Sequence, residues 1–221
     1  LLHCGGVINP LRRVLAFVLF LAFALPGLAQ HYYVDESNGL KYELDDEKHT
    51  AELIQQRGTS GSNFGYSSLY SAEKYVVPSY VADEGVRYKV TKLGASCFYN
   101  APNLKEVVLP ATIEEIGNGA FISCRELKKL QLNEGLKKIG EKCFKYTYSL
   151  EQITIPASVT EIGKLLFDLM KNNQQLTITC LSPTPAEVKG DMSIYSEFYA
   201  HHSLVVPSGC EAAYKKHPIW G

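Results

Sequence analysis

The chain has 221 residues, with 22 basic and 23 acidic side chains and a formal net charge of −1, which is enough length for one sizeable core. Near-balanced charge excludes the strong basic excess of a nucleic-acid surface. No Cys-x-x-Cys pair, calcium loop, G-x-S-x-G or dinucleotide fingerprint is present, so no cofactor, metal or catalytic residue is expected.

Residues 1–29 read as an export signal. Arg12-Arg13 is a positive n-region, and Val14 to Leu25 is an apolar run of 12 residues. Pro26-Gly27 then breaks the run ahead of small residues that suit cleavage between Ala29 and Gln30. The run is shorter than the roughly 20 residues of a spanning helix, so no membrane span is expected after cleavage. The Arg pair lacks a twin-arginine context, and no Cys follows the cut to carry a lipid. Beyond residue 29 there are 20 basic and 23 acidic residues, a net of −3. The expected location is secreted or at the cell surface.

Residues 30–89 read as a β cap and an irregular first coil. "GLKYELDDEKHTAELIQ" alternates around a polar turn and predicts a hairpin, and "YVADEGVRYKV" predicts a second one turning at Asp83-Glu84-Gly85. "GTSGSNFG" (58–65) lacks the Lys of a phosphate-binding loop and reads as a flexible connection.

Residues 90–182 repeat with a period of 23. Leu93, Ile116, Ile139 and Ile162 share that step, as do Gly94, Gly117, Gly140 and Gly163, and Phe98, Phe121, Phe144 and Phe167. A second set keeps it: Leu104-x-x-Val107-x-Leu109, Leu127-x-x-Leu130-x-Leu132 and Leu150-x-x-Ile153-x-Ile155. A fixed period in the twenties with L-x-x-L-x-L marks a leucine-rich solenoid, in which each coil buries its apolar residues against its neighbours. The predicted fold is a β-rich leucine-rich-repeat solenoid with a parallel strand ladder, an N-terminal β-hairpin cap and a C-terminal cap. Alternation sends Val107 and Leu109 inward and Glu106 and Val108 outward. The glycines permit either a sharp turn or close coil contact, and the phenylalanines should stack in one interior column. "EKYVVPSYV" (73–81) and "SLVVPSGC" (203–210) repeat the strand-then-Pro step outside the regular copies. Residues 183–221 read as an irregular coil and cap.

"VTKLGASCFYNAPNLKEVVLPATIEEIGNGAFISCRELKKLQL" resembles the BspA-like leucine-rich repeat family of bacterial surface proteins, and "LVVPSGCEAAYKKHPIW" is similar to the segment that closes such domains. Thr112, Gly135 and Ser158 stand where other leucine-rich repeats carry a ladder Asn. The resemblance implies export, surface display and adhesive or protein-binding roles, with a protein or glycan of a cell surface or matrix as partner.

Cys97 and Cys143 precede the Phe and Cys124 follows it by three, places for small buried side chains, where free Cys behaves as a small hydrophobe. A bridge between Cys180 and Cys210 is left open. His201 and His202 lack an identifiable nucleophile or orienting acid and read as polar surface. Lys92, Glu115, Lys138 and Glu161 precede the successive Ile/Leu-Gly pairs and should form a column of alternating charge.

Two surfaces remain as binding candidates. Lys105, Glu106, Val108, Lys128, Lys129, Gln131, Glu151, Gln152 and Thr154 form the outward strand face, continued by Gln174, Gln175 and Thr177. Tyr99, Tyr146 and Tyr148 lie in loops after the Phe and form an aromatic edge. The expected function is recognition or adhesion towards another macromolecule. The alternative is a secreted scaffold or envelope component without a specific ligand.

Overall fold

The structure is a computed structural model that describes residues 30–55, 72–167, 175–189, 202–217 and 220. The expected signal segment, and its cleavage position at Ala29, lie outside the described residues. The chain divides into residues 1–31 and 32–221; apart from His31, every element below lies in the second unit.

Three strands come first: β1 (His31–Val34), β2 (Lys41–Asp45) and β3 (Thr50–Leu53). β2 and β3 pair antiparallel, Tyr42 opposite Leu53 and Asp45 opposite Thr50, which is the hairpin expected from the alternation. Its turn is held by Asp45, whose carboxylate accepts from the amides of Glu47 and Lys48. β4 (Lys74–Val76) follows, then β5 (Tyr80–Asp83) and β6 (Val86–Leu93) as the second expected hairpin. Glu84 and Gly85 both have positive φ, 47° and 84°, the backbone of a tight two-residue turn matched to strand twist.

From β6 onward each coil supplies two strands. They are β7 (Glu106–Val108) and β8 (Glu115–Ile116), β9 (Lys129–Gln131) and β10 (Lys138–Ile139), β11 (Gln152–Ile155) and β12 (Glu161–Gly163), and β13 (Thr177–Cys180) and β14 (Glu187–Lys189). β15 (Ser203–Val205) and the short helix α1 (Glu211–Lys215) complete the series. The Ile/Leu-Gly strands β6, β8, β10 and β12 lie in one parallel ladder, flanked by β3 and β14. The L-x-L strands form two parallel sheets, β4-β7-β9 and β11-β13-β15. β4 and β15 occupy the two outlying strand-then-Pro steps. α1 has no counterpart in the sequence reading, which treats that region as irregular.

The core is the product of the period. Leu93, Ile116, Ile139 and Ile162 are buried side by side, and so are Val107, Leu130 and Ile153. Phe98, Phe121, Phe144 and Phe167 stack at centroid separations of 5.4, 5.8 and 5.4 Å with interplanar angles of 8°, 13° and 21°. Tyr75, from the irregular first coil, continues the column 5.7 Å from Phe98.

The structure decides the role of the repeated glycines. None of Gly94, Gly117, Gly140 and Gly163 has positive φ. Instead, a Cβ on Gly117 would lie 2.7 Å from the Ala95 nitrogen, and one on Gly140 would lie 2.5 Å from the Asn118 nitrogen. These are places where neighbouring backbones touch. The left-handed backbone sits elsewhere, at two positions per coil. Ser96, Gly119, Lys142 and Leu165 have φ of 56°, 63°, 53° and 57°, and Asn100, Ser123 and Tyr146 have φ of 55°, 61° and 62°. All but one are non-glycine residues, so composition concealed this feature.

Candidate binding surfaces

Strand alternation places the outward side chains of β4, β7, β9, β11, β13 and β15 on one side of their sheets. All nine candidate residues of the strand face point outward: Glu106 is half-buried and Lys105, Val108, Lys128, Lys129, Gln131, Glu151, Gln152 and Thr154 are exposed. Gln175 and Thr177 extend the exposed series, while Gln174 lies outside the described residues. Register aligns Lys74, Glu106 and Lys129 in one row and Val76, Val108 and Gln131 in another.

The charges on this face are not equivalent. Lys105 meets Glu73 at 2.6 Å and Glu106 meets Lys74 at 2.9 Å. The hydrogen bond from Lys74 holds the Glu106 carboxyl below its ordinary range, and Lys129 reinforces it through space. These two candidates therefore spend their charge on a neighbouring coil. Among the described residues Lys128, Lys129 and Glu151 have no ion-pair partner, and they carry the face's available charge.

The charge column predicted on the other ladder is present. Lys92 faces Glu115, Glu115 faces Lys138, and Lys138 faces Glu161 in register. Lys92 and Glu115 approach to 3.5 Å, as do Lys138 and Glu161. The column is longer than the repeat suggested at one end and closes on a like-charged neighbour at the other. Glu52 of β3 pairs with Lys92 at 3.2 Å, and Glu187 of β14 stands beside Glu161. Burial works against the charge of Lys92, but its hydrogen bond with Glu52 and the field of Glu52 and Glu115 outweigh this and raise its pKa. A parallel row runs Lys89, Glu114, Lys137, with contacts of 3.5 and 2.8 Å.

The three edge tyrosines do not form a single row. Tyr99 is 44% exposed, and its loop bonds to the next coil through Asn100 N–H to the Ile122 carbonyl. Tyr146 and Tyr148 are a local pair on one loop, with centroids 6.0 Å apart at 72°. Two cations join them: the Arg125 guanidinium lies 5.8 Å from the Tyr148 centroid, and the Lys145 ammonium 5.1 Å from that of Tyr146. Neither cation was singled out in the sequence. The signal was available for one of them, since Arg125 and Tyr148 are one period of 23 apart.

The described cysteines are thiols. Cys97, Cys124, Cys143 and Cys180 are buried and Cys210 partly so, with no disulfide among them; Cys180 and Cys210 are both free. Cys124 donates to the Phe98 carbonyl at 3.0 Å and Cys143 to the Gly117 carbonyl at 3.1 Å. Burial pushes both thiols up to about 12, and Cys97 is also raised well above the ordinary value. A thiolate is the reactive form, so these groups are poor nucleophiles. His202 accepts the Leu176 amide through Nδ1 at 3.1 Å, a structural bond between coils, and His201 lies outside the described residues. Among the described residues, no group of His, Cys, Asp and Glu is placed to hold a metal, and no helix is long and apolar enough to cross a membrane.

Residues 91–185 match the BspA type leucine rich repeat region, in six copies. A leucine-rich repeat protein from Bacteroides capillosus is 31% identical over 56% of this chain and 82% of its own, with a TM-score of 0.48. One from Bacteroides ovatus is 23% identical over 72% of this chain and 37% of its own, with a TM-score of 0.55. A leucine rich cell surface protein from Faecalibacterium prausnitzii is 18% identical over 80% of this chain and 55% of its own, with a TM-score of 0.51. The chain thus spans about two fifths to half of the length of the last two. No curated protein matches it. The 23-residue coils, the stacked phenylalanines and the family match agree: the chain belongs to the BspA-type leucine-rich repeat proteins.

Proposed function

We propose that the protein is an exported recognition module that binds a protein or glycan of a cell surface or matrix through the outward face of the L-x-L strands. The observation that carries this reading is the uneven use of charge. Lys105 and Glu106 are tied to Glu73 and Lys74, whereas Lys128, Lys129 and Glu151 have no ion-pair partner among the described residues and stand among Gln131, Gln152 and Thr154. Extended solenoid faces of this kind serve binding. Support for a surface location comes from the N-terminal segment, with its Arg pair and apolar run, and from the likeness to a cell surface protein of the same fold.

The coil-to-coil ion pairs favour a second reading, a scaffold that presents or spaces other components without a ligand of its own. Arrays of matrix proteins and glycans probed with the purified protein separate the two. Recognition predicts binding that charge reversal at Lys128 and Lys129 abolishes. Binding that survives the reversal removes the strand face from the proposal, and an array with no binding favours the scaffold.

A further inference from the structure

The L-x-L strands repeat one backbone bond from coil to coil, and it is missing once. The Glu106 amide donates to the Glu73 carbonyl at 3.0 Å, Lys129 to Lys105 at 3.0 Å, Thr177 to Glu151 at 2.9 Å and Ser203 to Leu176 at 3.0 Å. Gln152 holds the same place on β11, one period of 23 after Lys129 and opposite Thr177. Among the described residues its amide makes no bond to the Lys128 carbonyl. This is where the L-x-L strands divide into β4-β7-β9 and β11-β13-β15, with β9 and β11 unpaired. Solvent reaches further in at the break: Leu130 of β9 is 8% exposed, against 1% for Val107 and 2% for Ile153.

The same two coils stay joined on their other sides. β10 and β12 pair in register, Lys138 opposite Glu161 and Ile139 opposite Ile162. The Thr160 amide donates to the Lys137 carbonyl at 3.0 Å and the Phe144 amide to the Leu166 carbonyl at 2.9 Å. Phe144 stacks on Phe167 at 5.4 Å. Just past β9 and β11, side chains make the connection instead. The Glu134 carboxylate accepts the Ala157 and Ser158 amides, both at 3.3 Å. The Ser158 hydroxyl accepts the Gly135 amide at 3.0 Å and donates to the Leu136 carbonyl at 2.8 Å. A backbone ladder holds two strands whatever their side chains. Here the bonds depend on one carboxylate, exposed, and one hydroxyl, half-buried.

We propose that the break between β9 and β11 is a seam at which the L-x-L face opens, hinged on the β10–β12 ladder and latched by Glu134 and Ser158. Proteins open locally where backbone hydrogen bonds and buried apolar contacts are fewest, and two neighbouring strands that lack their ladder are such a place. Resistance to separation is uneven around the coil. The Ile/Leu-Gly side and the Phe side resist through backbone bonds and a stacked ring pair, whereas the strand face resists through the latch. Opening is therefore a rotation about β10–β12 and not a sliding of one coil past the next. Lys128 and Lys129 stand on one lip of the seam and Glu151 and Gln152 on the other, so the motion changes the spacing of the charges on this face. The seam is independent of whether the face binds a ligand.

The test is backbone amide exchange of the whole protein, followed residue by residue by NMR. The Gln152 amide should exchange at least about tenfold faster than those of Lys129 and Thr177, tenfold being the upper end of what one backbone hydrogen bond is worth. Ser158→Ala and Glu134→Ala each remove part of the latch. Lys129 directs its amide to Lys105, so the next amide, that of Leu130, faces the β11 side. Either substitution should speed exchange at Leu130 by about tenfold, again the worth of one such bond. Glu161, on the hinge, and Thr177, beyond the seam, should keep their rates. A Gln152 amide protected as well as those of Lys129 and Thr177 would overturn the seam. Leu130 exchange that neither substitution moves would make the break a fixed gap and overturn the latch and hinge. Equal acceleration at Leu130, Glu161 and Thr177 would do the same, because it marks a general loss of stability and not a local opening. Ser158→Ala removes only a hydroxyl from a half-buried position, so it reads the latch even if Glu134→Ala does not fold.

Discussion

Gly140 lies so close to Asn118 of the preceding coil that a Cβ on it would stand 2.5 Å from both the amide nitrogen and the side-chain oxygen of that residue. The Asn118 oxygen in turn accepts the Glu141 amide at 2.9 Å. The obstacle is therefore partly backbone and partly a side chain already committed to a hydrogen bond, and neither yields cheaply. Gly140→Ala should destabilise the fold by about 1–3 kcal/mol, the range for overpacking a close-packed interior. Chemical denaturation reads this directly. A loss under half a kcal/mol would show that the coils slide apart more easily than their contacts imply. Gly85, whose added Cβ would meet nothing within 4 Å but whose φ is 84°, is the control for a purely conformational cost.

Phe121 stacks on Phe98 at 5.4 Å and on Phe144 at 5.8 Å, and it is fully buried. Removing its ring leaves a void bounded by two aromatic faces that the backbone ladder keeps apart. Phe121→Ala should cost about 3–5 kcal/mol. Phe167, the last of the four repeated phenylalanines and 5% exposed, should cost less on the same truncation. Equal losses at the two sites, measured by urea unfolding, would mean that the column does not act as a stack.

Lys138 stands between Glu115 and Glu161 in the ladder, and Glu187 follows Glu161. Lys138→Glu places four carboxylates in consecutive register positions. Cross-strand charge pairs are worth about 0.2–1 kcal/mol each, so reversing two of them should cost about 1 kcal/mol in low salt. The loss should shrink as salt is added, because these side chains are largely solvent-exposed and screened. A melting temperature that does not change in low salt would contradict the column.

How much of this was legible beforehand depends on whether a feature repeats. The 23-residue step was enough to predict the Phe stack, the Ile/Leu ladder and the Lys92-Glu115-Lys138-Glu161 column, because a solenoid converts sequence period into spatial adjacency. Glu52 extends that column and Glu187 ends its alternation, like charge beside Glu161, both from irregular coils that share no period with it, so no spacing argument reaches them. The left-handed positions escaped because Ser96, Lys142 and Leu165 carry no glycine to mark them; Ser96 and Lys142 hold that backbone while donating their amides to the next coil, at the Asn118 and Lys164 carbonyls. On the candidate surfaces, alternation correctly turned Glu106 and Val108 outward but could not tell that Lys74 takes up Glu106. Tyr99, Tyr146 and Tyr148 were grouped by their shared distance from a Phe, while their actual neighbours are set by which coil each loop touches.

Acid should weaken the protein through the same ion pairs. The Glu106 carboxyl is lowered by the Lys74 hydrogen bond, and the Glu114 carboxyl by Lys137 first and Lys89 second, against some opposing desolvation. A carboxylate held below its unfolded pKa contributes stability above that unfolded value, about 4.3 for Glu, and loses it as pH falls through the folded pKa. The melting temperature should therefore decline a little below about pH 6.5, where burial holds the His217 pKa down and the unfolded chain takes up that proton more readily, and fall more steeply below about pH 4.5. Glu114→Gln should reduce the slope of that fall. A slope identical to that of the unaltered protein would assign the acid sensitivity to other groups.

Cys124 and Cys143 donate to the carbonyls of Phe98 and Gly117, and burial pushes both thiols up to about 12. Cys180 is raised to about 11 by burial, against the Tyr214 hydrogen bond that lowers it, whereas Cys210 is only partly buried. In the native protein at pH 8, a thiol reagent should modify Cys210 first and leave Cys97, Cys124 and Cys143 untouched; in denaturant all should react. Because thiolate reactivity requires both exposure and deprotonation, the protected thiols should react at a rate that tracks unfolding, with the pH dependence of an ordinary exposed thiol. Rapid modification of Cys124 under native conditions, located by peptide mass mapping, would show that the coils around Phe98 open far more often than a continuous core allows.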